Sequence, residues 1–327
     1  MANAEQVKAL VRCHTEGDEE RFYSVALQVA AQAARKGHAR FARELRDLIE
    51  SGRARPASSS SAAEPIPVLR PTGELGGLLT TSFPETRLSW MALAPSVRES
   101  LNQLILEQHR RGDLRAHGFH PMKRLLFVGP PGTGKTMAAS AVAGELKLPL
   151  FSIRLDGLIT RFLGETSAKL RLVFDAISET RGVYFFDEVD ALGSDRVGGN
   201  DVGEIRRVLN SFLQFLEEDR SDSLVLAATN HPQLLDGALF RRFESVVRFE
   251  MPSESEVRDL IRDRVSKLSL GENIPWDEVT DCAEGLSHSE IALACDAACK
   301  QAILSHRETV STKELMTALA QRRKFKD

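Results

Sequence analysis

Residues Gly129-Pro130-Pro131-Gly132-Thr133-Gly134-Lys135-Thr136 fit the pattern G-x-x-x-x-G-K-[ST], and they restrict the fold of this chain more than any other stretch. Such a run works in one context: an apolar strand must lead into it and a helix must lead out. Both flanks are present, since Leu125–Val128 is a continuous apolar run and Met137–Leu146 is helical in character. The glycines let backbone N–H groups close on phosphate oxygens, and the N-terminus of the following helix adds favourable partial charge. In that frame Lys135 reaches the β- and γ-phosphates of a nucleotide, and Thr136 holds Mg²⁺. The alternative is a chance glycine turn, and two correct flanks weigh heavily against it.

The surrounding pattern agrees. Leu150–Ile153, Val183–Phe186, Leu224–Ala228 and Val246–Phe249 are further apolar runs, as strands buried on both faces require. Helical segments lie between them, which predicts an α/β fold with a parallel sheet and helices on both faces. After Pro252 the strands stop. Ser253–Leu268, Trp276–Ala283, Ser287–Ser305 and Thr312–Arg323 read as four helices, with capping boxes at Ser253/Glu256 and Ser287/Glu290. At the other end, Val7, Leu10 and Val11, then Phe22, Val25, Ala26 and Val29, have helical spacing. Ser58–Ser61 followed by Pro65, Pro67 and Pro71 buries little and reads as a linker. The expected domains are therefore a small all-α unit at 1–50, a Ser/Pro-rich linker at 51–80, an α/β domain at 81–251 and a helical domain at 252–327.

With 327 residues, 42% of them apolar, the chain can bury a sizeable core. Its net charge of −3 argues against a general nucleic-acid binder, which carries a basic face. Cys13, Cys282, Cys295 and Cys299 lack the neighbouring ligands that a metal site needs and read as thiols of a reducing compartment. Met1–Val11 lacks the apolar run of a signal peptide, and no stretch approaches about twenty apolar residues. A cytoplasmic chain without a membrane span is the expectation.

Val183-Tyr184-Phe185-Phe186-Asp187-Glu188 is an apolar strand ending in two acids. After a phosphate loop, Asp187 suits Mg²⁺ through water and Glu188 suits a general base that polarises the attacking water. Asn230 ends the next strand, where ligands of such sheets bind. It either positions water near the γ-phosphate or forms a turn before His231-Pro232.

From about Leu88 to Arg323 the chain resembles the AAA-type ATPases of the P-loop class. Gly129–Thr136 match their Walker A, Asp187-Glu188 their Walker B and Asn230 their sensor 1. The resemblance implies a P-loop NTPase sheet with a four-helix C-terminal lid, ATP as ligand with Mg²⁺, and a homo-hexameric ring. Leu239-Phe240-Arg241-Arg242-Phe243-Glu244 resembles the second region of homology, which makes Arg241 and Arg242 arginine fingers acting on the neighbouring subunit's ATP. Arg161-Phe162-Leu163-Gly164-Glu165 resembles the first pore loop, with Phe162 and Leu163 gripping a protein substrate. Gly285–Ile291 resembles the lid segment over the nucleotide, and there His288 is either a nucleotide contact or an exposed capping residue. Where many members carry Asp-Ile-Gly-Gly before the module, this chain has Leu88-Ser89-Trp90 nearby. The implied activity is remodelling or unfolding of a protein substrate, with residues 1–50 docking an adaptor or partner. A motor for a separately encoded protease is a rival, since the chain has neither His-Glu-x-x-His nor a Ser nucleophile elbow. A nucleotide-gated scaffold and a nucleic-acid loader are further rivals; the intact acid pair and the charge balance weigh against them.

Overall fold

The computed structural model describes residues 74–158, 163–192, 202–235, 237–271 and 274–324. The first described elements are α1 (Glu74–Leu78) and β1 (Leu79–Ser82), then a 3₁₀ turn at Leu88–Trp90, α2 (Pro95–His109) and α3 (Arg111–Ala116). There follow β2 (Arg124–Val128), α4 (Lys135–Leu146), β3 (Leu150–Ile153), α5 (Leu155–Leu158), α6 (Leu163–Glu179) and β4 (Val183–Phe186). The α/β part is completed by α7 (Val202–Glu218), β5 (Leu224–Thr229), α8 (Gly237–Phe240) and β6 (Ser245–Arg248). Beyond it lie α9 (Glu254–Val265), β7 (Ser269–Leu270), α10 (Trp276–Ala283), α11 (His288–Leu304), β8 (Thr309–Val310) and α12 (Thr312–Lys324).

Six strands form one sheet in the order β1-β3-β4-β5-β2-β6. Every pairing among β2 to β6 is parallel, and only the edge strand β1 runs antiparallel, against β3. The apolar runs form central strands because both faces are covered: all four residues of β4 and all six of β5 are buried. On one face Leu126, Tyr184, Phe186, Val225 and Ala227 pack with α6 and α7. Phe174 of α6 brings rings from three elements together, 6.1 Å from Phe186 and 5.9 Å from Phe212 between centroids. On the other face α4 packs against β3, β4 and β5, and α2 against α4 and β6. The chain crosses from β2 to β3 over β4 and β5, while β6 closes the far side of β2. That reversal opens a crevice at the C-terminal end of β2, where sheets of this type bind ligands.

Two expectations need correction. Residues 74–80 are not linker: Leu78 and Leu79 are 2% and 4% exposed, and Leu79–Ser82 pair in register with β3. An edge strand whose last three residues are Thr80, Thr81 and Ser82 carries no apolar alternation to betray it. Strands also do not stop after Pro252, because β7 and β8 pair in parallel inside the helical region. Both anticipated capping boxes form, at Ser253/Glu256 and Ser287/Glu290. A third, Ser311 with Glu314, starts α12. These helices share a core of their own that includes Ile261, Val279, Ile291, Leu315 and Leu319. Cys295 belongs to that core, and burial pushes its thiol up to about 12; Cys282 and Cys299 are likewise free thiols. Among the described residues no helix is long and apolar enough to cross a membrane.

Helix α4 is rich in small residues because the chain crosses it closely. A Cβ on Gly144 would lie 2.3 Å from the Thr86 carbonyl oxygen and 2.9 Å from that of Pro84. Helix propensity alone favours Gly→Ala by about 1 kcal/mol, yet here backbone would have to move. Gly144→Ala is expected to destabilise the fold by about 1–3 kcal/mol, the usual cost of overpacking. Gly112→Ala, at a helical position with nothing within 4 Å, should be neutral or stabilising. Thermal unfolding midpoints of the two variants check this, and equal shifts would rule out the crossing.

Candidate active site

The phosphate loop leaves β2 through backbone that only glycine tolerates. Gly129 has φ +153°, and a Cβ there would stand 1.9 Å from the Phe249 carbonyl oxygen. Gly132 has φ +77°, with the Ser287 and Ser289 hydroxyls where its side chain would be. Gly134 caps α4, so the unpaired N–H groups of that helix face the loop.

Lys135, the first residue of α4, is 6% exposed. Its Nζ donates to the Gly129 carbonyl at 2.7 Å and the Pro130 carbonyl at 2.8 Å, while Thr133 Oγ1 also donates to Pro130, at 2.8 Å. The loop is thus tied into a ring around its own ammonium. Burial lowers the Lys135 pKa, and Asp187, Asp190 and Glu188 oppose that shift.

Asp187 and Glu188 follow β4 directly, beside this ring. Thr136 Oγ1 donates to Asp187 Oδ2 at 2.9 Å, and Asp187 Oδ1 accepts from the Glu188 backbone N–H at 3.0 Å. Glu188 has φ +55°, a left-handed conformation that costs a non-glycine residue energy and is held here by the packed strand before it. Two residues on, buried Asp190 accepts from Thr229 Oγ1 at 2.8 Å, and Thr229 Oγ1 accepts from the His231 N–H at 2.9 Å. This bridge joins the turn after β4 to the end of β5 and so sets Asn230 between them. Sequence reasoning missed Asp190 and Thr229; each reads as an ordinary polar residue, and their pairing spans 39 positions.

One cavity of about 1,040 Å³ opens beside these groups. Pro131, Gly132–Thr136, Asp187, Glu188 and Asn230 form its polar end. Its other walls include Trp90, Met91 and Ala92 from the segment before α2, and Leu260, Ala292 and Ile303 from the helical part. Arg264 and Lys300 on helices and Lys267 in the turn after α9 add cations to the lining, unforeseen because each reads as an ordinary solvated charge. A polar end with buried cation and helix terminus, and an apolar end with an exposed indole, suit a nucleotide.

The helical part touches the loop directly. Ser289 N–H donates to the Gly132 carbonyl at 3.0 Å. Ser287 is the N-cap of α11, so His288 is not the capping residue, nor is it exposed. Both its ring nitrogens are buried without a hydrogen-bond partner, and burial lowers its pKa, which keeps the imidazole neutral at pH 7.

Arg241 and Arg242 do not line the cavity. They lie on the turn after α8, where Arg241 is exposed and Arg242 Nε is 2.6 Å from Glu217 Oε1. Phe162 lies outside the described residues, and Leu163 is the first residue of α6. A magnesium ion fits the donor set. The Thr136 hydroxyl and the Asp187 carboxylate already converge within hydrogen-bond distance, and hard oxygen donors supplemented by phosphates are what this ion takes.

The model of the ATPase family associated with various cellular activities (AAA) matches residues 125–251, which hold every element of this loop and its acids. An uncharacterized AAA family ATPase of Sinorhizobium fredii, y4kL, is 34% identical over 98% of this chain and 95% of its own length. The ATP-dependent zinc metalloprotease FtsH of Karelsulcia muelleri is 33% identical over 61% of this chain, which spans 34% of that protein. The proteasome-activating nucleotidase of Methanothermobacter thermautotrophicus is 32% identical over 62% of this chain, which spans 51% of it. Among solved structures, the FIGL-1 AAA domain superposes with a TM-score of 0.59 at 23% identity, covering 74% of this chain and 85% of that one, a likeness of fold. Because the Sinorhizobium relationship runs nearly the full length of both chains, and the residues matched by the family model include the phosphate end of the cavity, this chain belongs to the AAA family of ATPases.

Proposed function

We propose that this ATPase works as a ring of identical subunits, six by family resemblance, and spends the energy of hydrolysis on remodelling a protein substrate. One observation carries the ring: Arg241 and Arg242 stand away from the chain's own cavity although everything else needed at the phosphate end is assembled there. A guanidinium that meets phosphate only across a subunit boundary makes each site incomplete without a second copy. The protein substrate rests on relatives named as an ATP-dependent metalloprotease and a proteasome-activating nucleotidase.

In this reading ATP enters with its phosphates in the ring of Gly129–Thr136 and its base toward Trp90 and His288. Lys135 exchanges the Gly129 and Pro130 carbonyls for phosphate oxygens. Thr136 and Asp187 would hold Mg²⁺, which when bound would offset negative charge on the phosphates. Glu188 orients a water in line with the γ-phosphorus and takes its proton; Asn230 fixes that water from the neighbouring strand. Arg241 and Arg242 offset charge in the next subunit's site. Residues 1–50 serve as the docking domain, 81–251 as the motor and 252–327 as the lid. Phe162 and Leu163 contact the substrate in the pore. A second reading, a motor for a separately encoded protease, follows from the same two relatives and would show as a stable protease complex on purification.

Glu188→Gln should bind ATP normally and turn over at least about a hundredfold more slowly, the usual contribution of a general base. Its ATP-bound form should retain substrate for identification by mass spectrometry; turnover like the wild type would remove Glu188 from the chemistry.

Arg242→Ala should bind ATP and lose hydrolysis. Mixed with Lys135→Ala it should recover part of the activity, because mixed interfaces pair an intact cavity with an intact finger. Absence of recovery in rings shown by native mass to be mixed would exclude action in trans.

Phe162→Ala should keep its melting temperature and most basal hydrolysis while losing processing of the trapped substrate. A fall in stability of about 3–5 kcal/mol, the cost of emptying a core phenylalanine site, would place Phe162 in packing instead.

A further inference from the structure

A second concavity, of about 230 Å³, lies at the N-terminal ends of the strands, away from the nucleotide cavity. Its walls come from α3, the residues leading into β2 and the turn after α7. Five cations line it, Arg111, Arg115, Lys123, Arg124 and Arg220, against the carboxylates of Asp219, Asp222 and Glu244. The carboxylates are already taken. Asp219 pairs with Lys123 at 2.7 Å, Glu244 with Arg124 at 3.1 Å, and Asp222 with Arg115 through both carboxylate oxygens.

Arg111 and Arg220 therefore make no direct ion pair among the described residues, although, after the Arg115 hydrogen bond, the Arg111 charge also helps to hold the Asp222 carboxyl below its ordinary value. A third guanidinium, that of Arg181, stands behind Asp222, and its Nε donates to the Asp222 backbone carbonyl at 3.4 Å. Burial and then the Arg111 charge lower the Arg181 pKa, and Arg115 adds to this while Asp222 opposes it. Positive charge thus outruns its partners on the half-buried side of the concavity. Nη1 of Arg111 is buried and has no hydrogen-bond partner. Native folds rarely leave a buried donor unmatched, and a charged one is the costliest to leave so.

We propose that this concavity binds a phosphate-class oxyanion, with the Arg111 guanidinium as its principal contact and Arg220 closing the mouth. The planar fork of arginine matches two oxygens of such an ion. A dianion suits the site better than a monoanion because the lining holds five cations against three carboxylates, an excess of two positive charges.

The test uses the full-length chain with its nucleotide cavity saturated by ADP and Mg²⁺, and inorganic phosphate as probe at constant ionic strength. Phosphate should raise the melting temperature saturably and broaden its own ³¹P resonance. Arg111→Ala should weaken binding at least about tenfold, Arg111→Lys should restore it only in part, and Lys135→Ala should leave it intact. Arg220→Ala, on an exposed side chain whose loss spares the fold, should weaken binding several-fold even if Arg111→Ala proves unstable. O-phosphoserine, a phosphoryl group borne on a larger molecule, distinguishes the source: the tighter of the two ligands identifies a free ion or a carried group. An equal response to succinate or chloride, or a response lost in Lys135→Ala and kept in both arginine variants, would overturn the proposal.

Discussion

An ammonium taken out of water must find oxygen atoms, and the way Lys135 finds them organises this molecule. Its two acceptors are carbonyls of the loop that precedes it, so the bonds that satisfy the charge also bend Gly129–Gly134 into a ring over the N-terminus of α4. The ring needs the left-handed glycines, and the helix below needs small residues to sit against the sheet. Thr136 is then one residue into the helix and faces Asp187 at 2.9 Å. The arrangement is poised, because phosphate oxygens are stronger acceptors for an ammonium than backbone carbonyls.

The same ammonium is the local answer to three acids. Asp187, Asp190 and Glu188 all favour its charged form against the burial that disfavours it. Asp190 is held in this group by Thr229, which ties the turn after β4 to the end of β5. Glu188 is held in a left-handed turn that an isolated peptide would leave. Each acid is thus fixed by packing in the sheet, and the geometry at the phosphate end depends on strands that are buried on both faces.

The helical part meets the phosphate loop at Ser289, whose N–H donates to the Gly132 carbonyl. The Ser287/Glu290 capping box satisfies the start of α11 and leaves the Ser289 N–H free to bond Gly132. A change in the loop therefore reaches α11 directly, and α11 packs extensively on α9 and α12. His288, buried and unpaired beside this contact, places a polar ring where a ligand can satisfy it.

Local rules carried the readable part of this protein. Five strands were legible because strands buried on both faces are continuous apolar runs, and the phosphate loop because its glycines and lysine serve the local backbone. Two capping boxes were legible because their partners are three residues apart. Where pairing is distant, the sequence is mute: β1 is polar and short and takes its identity from β3, and Asp190 meets Thr229 only because β4 and β5 are neighbours. The absence of Arg241 and Arg242 from the cavity, the burial of the His288 nitrogens and the unmatched charge around Arg111 belong to the same class. The sequence determined which segments fold and what chemistry the loop can hold, since both depend on neighbours within a few residues. Only the tertiary structure decided which charges are paired, buried or left over, because that depends on atoms that the chain brings together from far apart.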